Sequence, residues 1–503
     1  MTEADPRSGA RVSSGAVTPA FPPVPLDHLT VSVPGARFQG DPGVLIADVA
    51  YDSREVAPGA LFFCVPGERT DGHGFAADAV GAGGVALVVE RWLEIDAPQV
   101  RVGSVREAMG PMSSLAFGDP AASMITVGVT GTNGKTTVTY LLESIFEAAG
   151  WKAGVIGTTG ARVGGEPVPS SRTTPEAPDL QRLLAAMRDG DVRANAIEIS
   201  SHALAQHRVD GLVVDVAVFT NLSQDHLDYH GTMEAYLEAK SRLFTPSHAR
   251  HAVVNVDDPA SRRILRAAIP LTTYGIEHDA DLRAADIVAK ADGTGFEVDG
   301  VQIRTSLMGR FNAANALAAV AAARALGVDD DAIVTGIGAL HHVPGRMETI
   351  DAGQGSLVVV DYAHTPDSIR SVLLAARPLA PGRLIIVFGC GGDRDRKKRS
   401  LMGAAATSTA DLTIVTTDNP RSEDPLSIIA EIETGANEGG GAYLVEPDRR
   451  AAIRLALQEA AAGDVVVIAG KGHEPTQELR DRTIPFDDRI VAREELEAIG
   501  LGA

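Results

Sequence analysis

The stretch that most constrains the fold of this chain runs from residue 127 to 146 and reads VGVTGTNGKTTVTYLLESIF. It begins with alternating apolar residues, which are typical of a buried strand, and from Val138 its apolar residues follow helical spacing. The connecting loop is GTNGKTT (131–137). Its glycines let backbone amides close around a phosphate, the helix start places a charge of about +0.5 beside it, and Lys135 adds a full charge. The segment therefore predicts a phosphate-binding loop in an α/β domain.

This loop is a variant of the usual pattern. Val129 stands five residues before Gly134, where the pattern has glycine, and Gly128 and Gly131 flank that region. Thr136 can supply a hydroxyl to a magnesium ion. A glycine-rich turn with a chance lysine is the simpler interpretation, but strand, loop and helix occur in the order that a phosphate loop requires.

Length and charge limit the possible functions. The 503 residues can form about three domains, and a composition of 45% hydrophobic and 22% charged residues is typical of a soluble globular protein. A net charge of -21 argues against nucleic acid as partner. The two cysteines, Cys64 and Cys390, lie far apart, which fits a reducing compartment. We see no signal peptide and no apolar run of about 18 residues, so we expect a cytoplasmic protein without a membrane span.

The pattern of elements predicts an α/β chain of three domains after a leader. Residues 1–25 mix Pro, Ser, Gly and Ala without periodicity, and we interpret them as a disordered leader. Residues 26–122 predict a small α/β domain, and residues 123–348 predict a central domain with a mostly parallel sheet around the phosphate loop. Residues 349–503 predict a Rossmann-like domain, because apolar strands alternate with helix-length segments.

Polar residues follow several predicted strands of the central domain. The segment 194–199 leads into Glu198 and Ser200, and the segment 213–219 leads into Asp225 and His226. Open α/β sheets bind ligands at the carboxyl ends of their strands, so these groups should gather beside the phosphate loop. Glu198 and His226 are candidates for holding a nucleotide-bound magnesium ion. Each of them alone is equally explained as a capped strand end.

The third domain repeats this arrangement. Its apolar strands end in DYAH (361–364), GCGGDRD (389–395), DNPR (418–421) and GKGHE (470–474). Arginine beside Asp and Asn at such an edge suits a ligand that carries both carboxylates and amines, although surface salt bridges are the alternative. Before this domain, Pro344 and Gly345 predict a hinge from which Arg346 can reach the nucleotide.

One lysine of the central domain is out of place. Lys240 falls on the apolar stripe of a predicted helix between residues 232 and 244. A buried ammonium group costs several kcal/mol unless it is paired or neutral, so the side chain either extends to water or is modified. Reaction with carbon dioxide would convert it to a carbamate, an anionic metal ligand.

Taken together, the motifs resemble those of the Mur ligases, ATP-dependent amide-bond ligases that build the peptide of peptidoglycan for the bacterial cell wall, and the resemblance covers residue 45 to the C-terminus. The motifs that carry it are GTNGKTT (131–137), EISSH (198–202), TNLSQDHLDYHG (220–231), AKSRLF (239–244), GRFNAANALAA (309–319), PGRME (344–348), DYAHTPD (361–367) and GKGHE (470–474). Within the family, FGCGGDRDRKKR (388–399), DNPR (418–421) and GHE (472–474) resemble the members that add meso-diaminopimelate to UDP-N-acetylmuramoyl-L-alanyl-D-glutamate through an acyl phosphate.

The resemblance implies roles for individual residues. For ATP it implies Gly131, Thr132, Asn133, Gly134, Lys135, Thr136, Thr137, Asn312, Arg346 and Asp361. For magnesium it implies Thr136, Glu198, His226 and Lys240 as a carbamate, and the catalytic set is Lys135, Glu198, His226 and Lys240. For the UDP substrate it implies Tyr51, Ser53, Thr173, Thr174, Ser200, Gln206 and Arg208, while Arg172 stands where the family often has Asn or Ser. For diaminopimelate it implies Arg394, Asp418, Asn419, Pro420, Arg421, Gly470 and Glu474.

The charge of diaminopimelate makes Arg421 the candidate for choosing it. Diaminopimelate is lysine with a second carboxylate, and a bidentate guanidinium–carboxylate pair contributes about 1.5–3 kcal/mol. That free energy corresponds to roughly tenfold or greater discrimination, and a lysine-adding enzyme would gain nothing from the arginine.

Three alternatives remain open from the sequence. A lysine-adding ligase of the same family is disfavoured by Arg421. A folylpolyglutamate synthetase would share the central domain but lack a uridine-binding first domain. A non-catalytic nucleotide-binding scaffold in a cell-wall complex is disfavoured by the complete phosphate loop and metal positions. We expect a monomer that uses ATP and Mg²⁺ and binds no nucleic acid.

Overall fold

The computed structural model describes residues 22–67, 70–170 and 172–500, which form three successive α/β units. The predicted fold class is confirmed. Residues Val24–Pro25, at the end of the predicted leader, form strand β1 and pair with Leu45–Ile46. The first unit therefore begins earlier than predicted, and residues 1–21 lie outside the described part of the chain.

The first unit contains a five-stranded sheet in the order β2-β7-β6-β5-β4, in which β4 to β7 are parallel and β2 is antiparallel to β7. Its elements are β1 (Val24–Pro25), α1 (Leu26–Leu29), β2 (Arg37–Gln39), β3 (Leu45–Ile46), β4 (Asp48–Ala50), β5 (Ala60–Phe63), α2 (Ala76–Gly81), β6 (Ala86–Val89), β7 (Gln99–Arg101) and α3 (Val105–Ala116).

The central unit contains a nine-stranded sheet in the order β11-β10-β9-β12-β8-β13-β14-β15-β16, parallel except at β10 and β11. An antiparallel three-stranded sheet, β17-β18-β19, was not predicted. The strands are β8 (Ile125–Thr130), β9 (Ala153–Gly157), β10 (Gly160–Val163), β11 (Glu166–Val168), β12 (Ala194–Glu198), β13 (Val214–Phe219), β14 (Ala249–Asn255), β15 (Leu271–Gly275), β16 (Leu282–Arg283), β17 (Ala285–Lys290), β18 (Gly293–Val298) and β19 (Val301–Thr305). The helices are α4 (Lys135–Ala148), α5 (Ala177–Asp189), α6 (Ser201–Ala205), α7 (Leu227–His230), α8 (Met233–Ser241), α9 (Ser261–Ile264), α10 (Arg310–Ala325) and α11 (Asp330–Ala339).

Helix α4, which starts in the phosphate loop, is fixed by packing on its apolar face. Leu141, Leu142, Ile145 and Phe146 are fully buried in one core with strands β8 and β13 and helices α10 and α11. A β-carbon on Gly336 of α11 would clash with the backbone of Ile145, so glycine lets the two helices approach closely. This packing holds the helix start and its loop at the end of β8.

The third unit contains a six-stranded sheet in the order β20-β21-β25-β22-β23-β24, with only β20 antiparallel to its neighbour. Its elements are β20 (Glu348–Ile350), β21 (Leu357–Asp361), α12 (Pro366–Ala376), β22 (Leu384–Phe388), α13 (Lys397–Thr407), β23 (Leu412–Val415), α14 (Pro425–Gly439), β24 (Tyr443–Val445), α15 (Arg449–Glu459), β25 (Val465–Ala469), β26 (Thr476–Glu478), β27 (Thr483–Pro485) and α16 (Asp488–Ala498). Across the described residues, we find no helix with the length and apolar character that a bilayer span requires.

Candidate active site

The strands of the central sheet end at one cavity of about 340 Å³. Residues at or just after the ends of β12, β13 and β14 line it together with the phosphate loop and residues of the third unit. Glu198 and His226, predicted to gather beside Lys135, line the same cavity as Lys135. The cavity lies at the carboxyl edge of a parallel sheet, where open α/β folds bind ligands.

The phosphate loop requires its glycines. Gly131 and Gly134 have φ angles of 153° and 87°. A β-carbon on the first would clash with the hydroxyl of Thr220, and one on the second would clash with the side-chain oxygen of Asn315. The Nζ atom of Lys135 donates to the carbonyls of Gly131 at 2.9 Å and Thr132 at 2.8 Å. Residues 132–137 line the cavity, so the loop has the form of a phosphate cradle.

Glu198 is a buried carboxylate held in a fixed orientation. Its side chain is at the end of β12 and the residue is 1% exposed. The backbone N–H of Thr158 donates to Oε1 and the hydroxyl of Thr158 donates to Oε2, each at 2.9 Å. Gly157 leaves room for this carboxylate, since a β-carbon there would clash with it.

His226 presents a neutral imidazole to the cavity. Its backbone has a φ of 55°, and its Nε2 lies 3.3 Å from Oδ2 of Asp225. Burial lowers the pKa of His226 to about 2, although Asp225 opposes this shift. An unprotonated imidazole can coordinate a metal ion, whereas an imidazolium cannot.

The side chains that face the cavity fit a magnesium ion bound with a nucleotide. The carboxylate of Glu198, the imidazole of His226 and the hydroxyl of Thr136 all lie on it. Among the described residues there is no group of three or more His, Cys, Asp or Glu that could enclose a metal. Magnesium usually keeps several waters and takes phosphate oxygens with one or two protein ligands, so a sparse donor set suits it.

Lys240 is buried behind the phosphate loop. The residue is 1% exposed, and its Nζ donates to the carbonyl of Gly131 at 2.8 Å and lies 4.5 Å from the centre of the Tyr236 ring. Burial, and then the nearby charge of Lys135, hold the pKa of Lys240 well below its usual value. The side chain does not extend to water, so the first of its two sequence interpretations is wrong.

Two predicted ATP-binding residues lie at the junction with the third unit. Arg346 donates from Nη2 to the hydroxyl of Thr136 at 3.0 Å, and its guanidinium lies 4.5 Å from the centre of the Tyr362 ring. The carboxylate of Asp361 accepts from the N–H groups of Met347 at 2.8 Å and Ala363 at 2.7 Å. Burial raises the pKa of Asp361. Both predicted residues line the cavity.

Asn312 is placed differently from its neighbour Asn315. Asn312 is buried and its Oδ1 accepts from Nδ2 of Asn315 at 2.9 Å. Asn315 lines the cavity and lies against Gly134. Among the described residues that line the cavity, Asn312 does not occur. Sequence reasoning chose the first asparagine, and the helical spacing of three residues shows that both lie on the same face of α10.

The residues predicted for the UDP substrate form a connected network. The hydroxyl of Thr174 donates to the carbonyl of Glu198 at 2.7 Å and accepts from the N–H of Ser200 at 3.0 Å. Arg208 donates from Nη1 to the carbonyl of Thr174 at 3.2 Å and from Nη2 to Oε1 of Gln206 at 2.5 Å. Ser200 also lines the cavity.

Three further residues predicted for the UDP substrate lie outside this hydrogen-bonded network. Thr173 lines the cavity and its hydroxyl lies 3.0 Å from that of Thr158. Tyr51, in the first unit, donates its hydroxyl to Asp179 of α5 at 2.7 Å, and Ser53 begins a short 3₁₀ helix two residues later.

The residues predicted for diaminopimelate cluster at the carboxyl edge of the third sheet. Nδ2 of Asn419 donates to Glu474 at 2.8 Å, and Gly470 lies against the carboxylate of Asp418. Arg421, which follows Pro420, donates from Nε to Glu478 at 2.7 Å and from Nη1 to the carbonyl of Gly392 at 2.9 Å. Arg394 is exposed. None of the seven predicted residues, all within the described chain, lines the 340 Å³ cavity.

Sequence reasoning missed contacts made by lysines of the third unit. Lys398 lies beside Asp225 of the central unit, and Lys471 donates to Asn419 at 3.1 Å and Glu474 at 3.2 Å. Lys398 shares its face of α13 with Met402 and Ala405, all three buried. A charged residue on an apolar helical stripe is the same signal that singled out Lys240, and it was available in the sequence.

Three family models match successive parts of this chain. Residues 45–114 match the model of the Mur ligase family, catalytic domain, residues 129–323 match the Mur ligase middle domain, and residues 345–472 match the Mur ligase, glutamate ligase domain. The chain is 47% identical to the UDP-N-acetylmuramoyl-L-alanyl-D-glutamate–2,6-diaminopimelate ligase of Geobacillus thermodenitrificans, over 90% of this chain and 95% of that protein. It is 46% identical to the protein of the same name from Geobacillus kaustophilus, with the same coverage. A solved structure of a ligase with this name matches at 35% identity and a TM-score of 0.67, covering 95% of this chain and 99% of the other.

Proposed function

This chain belongs to the Mur ligase family, and we propose that it joins meso-diaminopimelate to UDP-N-acetylmuramoyl-L-alanyl-D-glutamate with the energy of ATP hydrolysis. The observation that carries this proposal is the shared cavity. Lys135 and Glu198 of the central unit line it together with Arg346 and Asp361, which lie at the junction with the third unit. Similarity to ligases of that name over nine-tenths of the chain supports the choice of substrates.

The reaction has two steps in this proposal. The free carboxylate of the D-glutamyl residue takes the γ-phosphoryl group of ATP and becomes an acyl phosphate. The amine of diaminopimelate then attacks the acyl carbon, phosphate leaves with the bonding electrons, and an amide remains. Because two anions must meet in the first step, neutralisation of charge is the main task of the site.

The residues of the cavity suit this task. The loop amides, the start of α4 and the Nζ atom of Lys135 would hold the phosphates of ATP, with Asn315 beside Gly134. The predicted Asn312 would act by positioning Asn315, to which it is hydrogen-bonded. Glu198, His226 and Thr136 would hold magnesium, which neutralises phosphate charge when it is bound.

Lys240 would support the metal from behind the loop. Burial and the charge of Lys135 lower the pKa of Lys240, which favours the unprotonated amine, and only that form reacts with carbon dioxide. We propose that the resulting carbamate completes the anionic side of the magnesium site.

The UDP substrate and diaminopimelate would bind on opposite sides of the ATP site, the first at the first and central units and the second at the third unit. Tyr51 and Ser53 would hold the uridine end, and Thr173, Thr174, Ser200, Gln206 and Arg208 would hold the muramoyl dipeptide. The cluster of Arg394, Asp418, Asn419, Pro420, Arg421, Gly470 and Glu474 would bind diaminopimelate, whose two amines and two carboxylates match its mixed charges. We propose that the protein acts in the cytoplasm as a monomer; the water solubility of these substrates supports the location.

A phosphate-release assay tests the proposal. The protein is supplied with ATP, magnesium and the UDP-muramoyl dipeptide, and then with meso-diaminopimelate or L-lysine. We expect release with diaminopimelate and at least about tenfold less with lysine at equal concentration. Equal or faster release with lysine would assign the lysine-adding activity instead, and no release with either would indicate a scaffold.

A further inference from the structure

Three arginines from separate parts of the chain surround the carboxylate of Glu176. Arg106 of α3, in the first unit, lies 3.0 Å from it, Arg208 lies 3.1 Å from it, and Arg172 lies 3.4 Å from it. Glu176 directly precedes α5, and its side chain is 5% exposed. The cluster therefore bridges the first and central units around a buried carboxylate.

The cluster has an excess of positive charge. Within the described chain, Glu176 is the one carboxylate that forms an ion pair with any of the three arginines. The pKa of Arg208 is lowered by burial first and then by the charges of Arg172 and Arg106, with Glu176 opposing. The buried Arg208 has Glu176 as its partner, so the positive charge that this one carboxylate leaves uncompensated lies on Arg106 and Arg172, where it suits an anion.

The cluster is also open on one side. The side chain of Arg172 is 46% exposed and that of Arg106 is 29% exposed, whereas that of Arg208 is 7% exposed. Arg208 in turn touches Thr174, which is hydrogen-bonded to the cavity residue Ser200. An anion that reached the two outer arginines would thus lie near the predicted muramoyl site.

We propose that Arg106 and Arg172 form, with Glu176 as the residue that orients them, a binding site for an anionic group of the UDP substrate. The group is a phosphate of the diphosphate or a carboxylate of the dipeptide, both of which guanidinium groups bind in bidentate fashion. This inference rests on the proposed function for the identity of the substrate. It adds a contact from the first unit and assigns Arg172, where the family often has Asn or Ser.

Kinetics with single substitutions test the site. Arg106→Gln and Arg172→Asn are compared with Arg37→Gln, an exposed arginine of the first unit outside the cluster. We expect the KM for the UDP substrate to rise by about tenfold in each cluster variant, more than kcat falls, with the KM values for ATP and diaminopimelate within about twofold of wild type. The control should match wild type in all three.

Direct titration identifies the anionic group and remains informative if turnover is absent. Wild type and variants are titrated with UDP, and separately with N-acetylmuramoyl-L-alanyl-D-glutamate lacking the nucleotide. Weaker binding of UDP alone would assign a phosphate, and weaker binding of the fragment alone would assign a carboxylate. Unchanged KM and unchanged binding of both probes would overturn the inference and leave a purely structural ion-pair cluster.

Two controls separate this result from other failures. Thermal unfolding of each variant detects a folding defect, and Arg172→Lys, which keeps the charge at an exposed position, should recover part of the lost affinity. If wild type shows no ligase activity but the variants bind the probes more weakly, the proposed function fails and the anion site stands.

Discussion

The Nζ atom of Lys398 in the third unit lies 3.3 Å from Oδ1 of Asp225 in the central unit. The two side chains are 8% and 6% exposed. On the other carboxylate oxygen, Nε2 of His364 from the third unit lies 3.5 Å away. Because Asp225 and His364 line the cavity, this buried ion pair joins the two units at the wall of the candidate active site.

Removing the lysine of this pair should impair catalysis. In Lys398→Ala the carboxylate of Asp225 loses its lysine partner, and breaking a buried pair in this way costs about 3–5 kcal/mol. We expect kcat to fall by at least about tenfold, because docking of the third unit weakens. Phosphate release measures the effect, with the exposed neighbour Lys397→Ala as matched control. A Lys398→Ala enzyme with the kcat of Lys397→Ala would contradict the role of the pair.

Loss of the phosphate-loop lysine should stop turnover without preventing substrate binding. Lys135→Ala removes the amine that donates to the loop carbonyls of Gly131 and Thr132, and we expect a fall in kcat of at least about a hundredfold. Titration calorimetry should still detect binding of the UDP substrate, which meets other residues. Lys152→Ala, an exposed lysine of the same unit, should behave as wild type. Retained turnover in Lys135→Ala would refute the ATP site.

Acid should destabilise the protein partly through His202. Its ring lies 4.3 Å from that of Tyr229, and burial, followed by the charges of His230 and Arg208, lowers its pKa to about 4. The unfolded chain, with a histidine pKa of about 6.5, therefore binds more protons between these two values. The contribution of neutral His202 to stability is present above pH 6.5 and is lost as the pH falls toward about 4.

Denaturant unfolding at about pH 5 and pH 7.5 measures this effect. From about pH 7.5 to about pH 5, His202→Asn should lose less stability than wild type. The variant lacks the imidazole that takes up a proton in the unfolded chain but not in the folded protein. His341→Asn, an exposed histidine, should retain the wild-type pH dependence. If His202→Asn shows the same loss as wild type, the acid sensitivity arises elsewhere.

Much of the scaffold could be predicted because its strands are continuous apolar runs that end in glycine or acidic residues. Strands β22 (384–388) and β25 (465–469) end directly before GCGGDRD (389–395) and GKGHE (470–474), which are the motifs that the sequence predicts to follow strands. The edge of the central sheet was also predictable, since parallel strands place their carboxyl ends together. From that rule alone, the sequence predicts that Glu198 and His226 lie near Lys135, and all three residues line the same cavity.

Contacts between distant units could not be predicted in the same way. The pairing of Lys398 with Asp225 spans 173 residues, and no periodicity links the two positions. The three arginines around Glu176 belong to two units. In the sequence, nothing distinguishes Arg106 or Arg172 from an ordinary surface arginine, or shows that they meet Arg208. Local pattern determines which face of an element is buried, but the orientation of one unit against another determines which charges meet.

Lys240 should carry a carbamate in the active enzyme. In the presence of ¹³C-labelled bicarbonate, the wild type should show a carbamate signal by NMR that is absent from Lys240→Ala. The variant should lose at least about a hundredfold in kcat, and bicarbonate should not restore it, whereas a short carboxylate such as propionate should restore part by occupying the space left. Lys290→Ala, at an exposed lysine of β17, provides the control. Full activity without a carbamate signal would exclude the modification.

Arg421 should determine the choice between diaminopimelate and lysine. Its guanidinium is held by Glu478 at 2.7 Å and the carbonyl of Gly392 at 2.9 Å, which orients it before a ligand arrives. In Arg421→Lys the bidentate contact with a carboxylate is lost, so the KM for diaminopimelate should rise about tenfold. Lysine has no second carboxylate, and its KM should change little. The ratio of kcat/KM for diaminopimelate to that for lysine should therefore fall about tenfold. Arg480, an exposed neighbour, donates to Ser422, and Arg480→Lys should leave the ratio unchanged.

If the ratio is unchanged in Arg421→Lys, another group in the cluster binds the second carboxylate. Arg394 is then the next residue to replace, because it is the other predicted arginine.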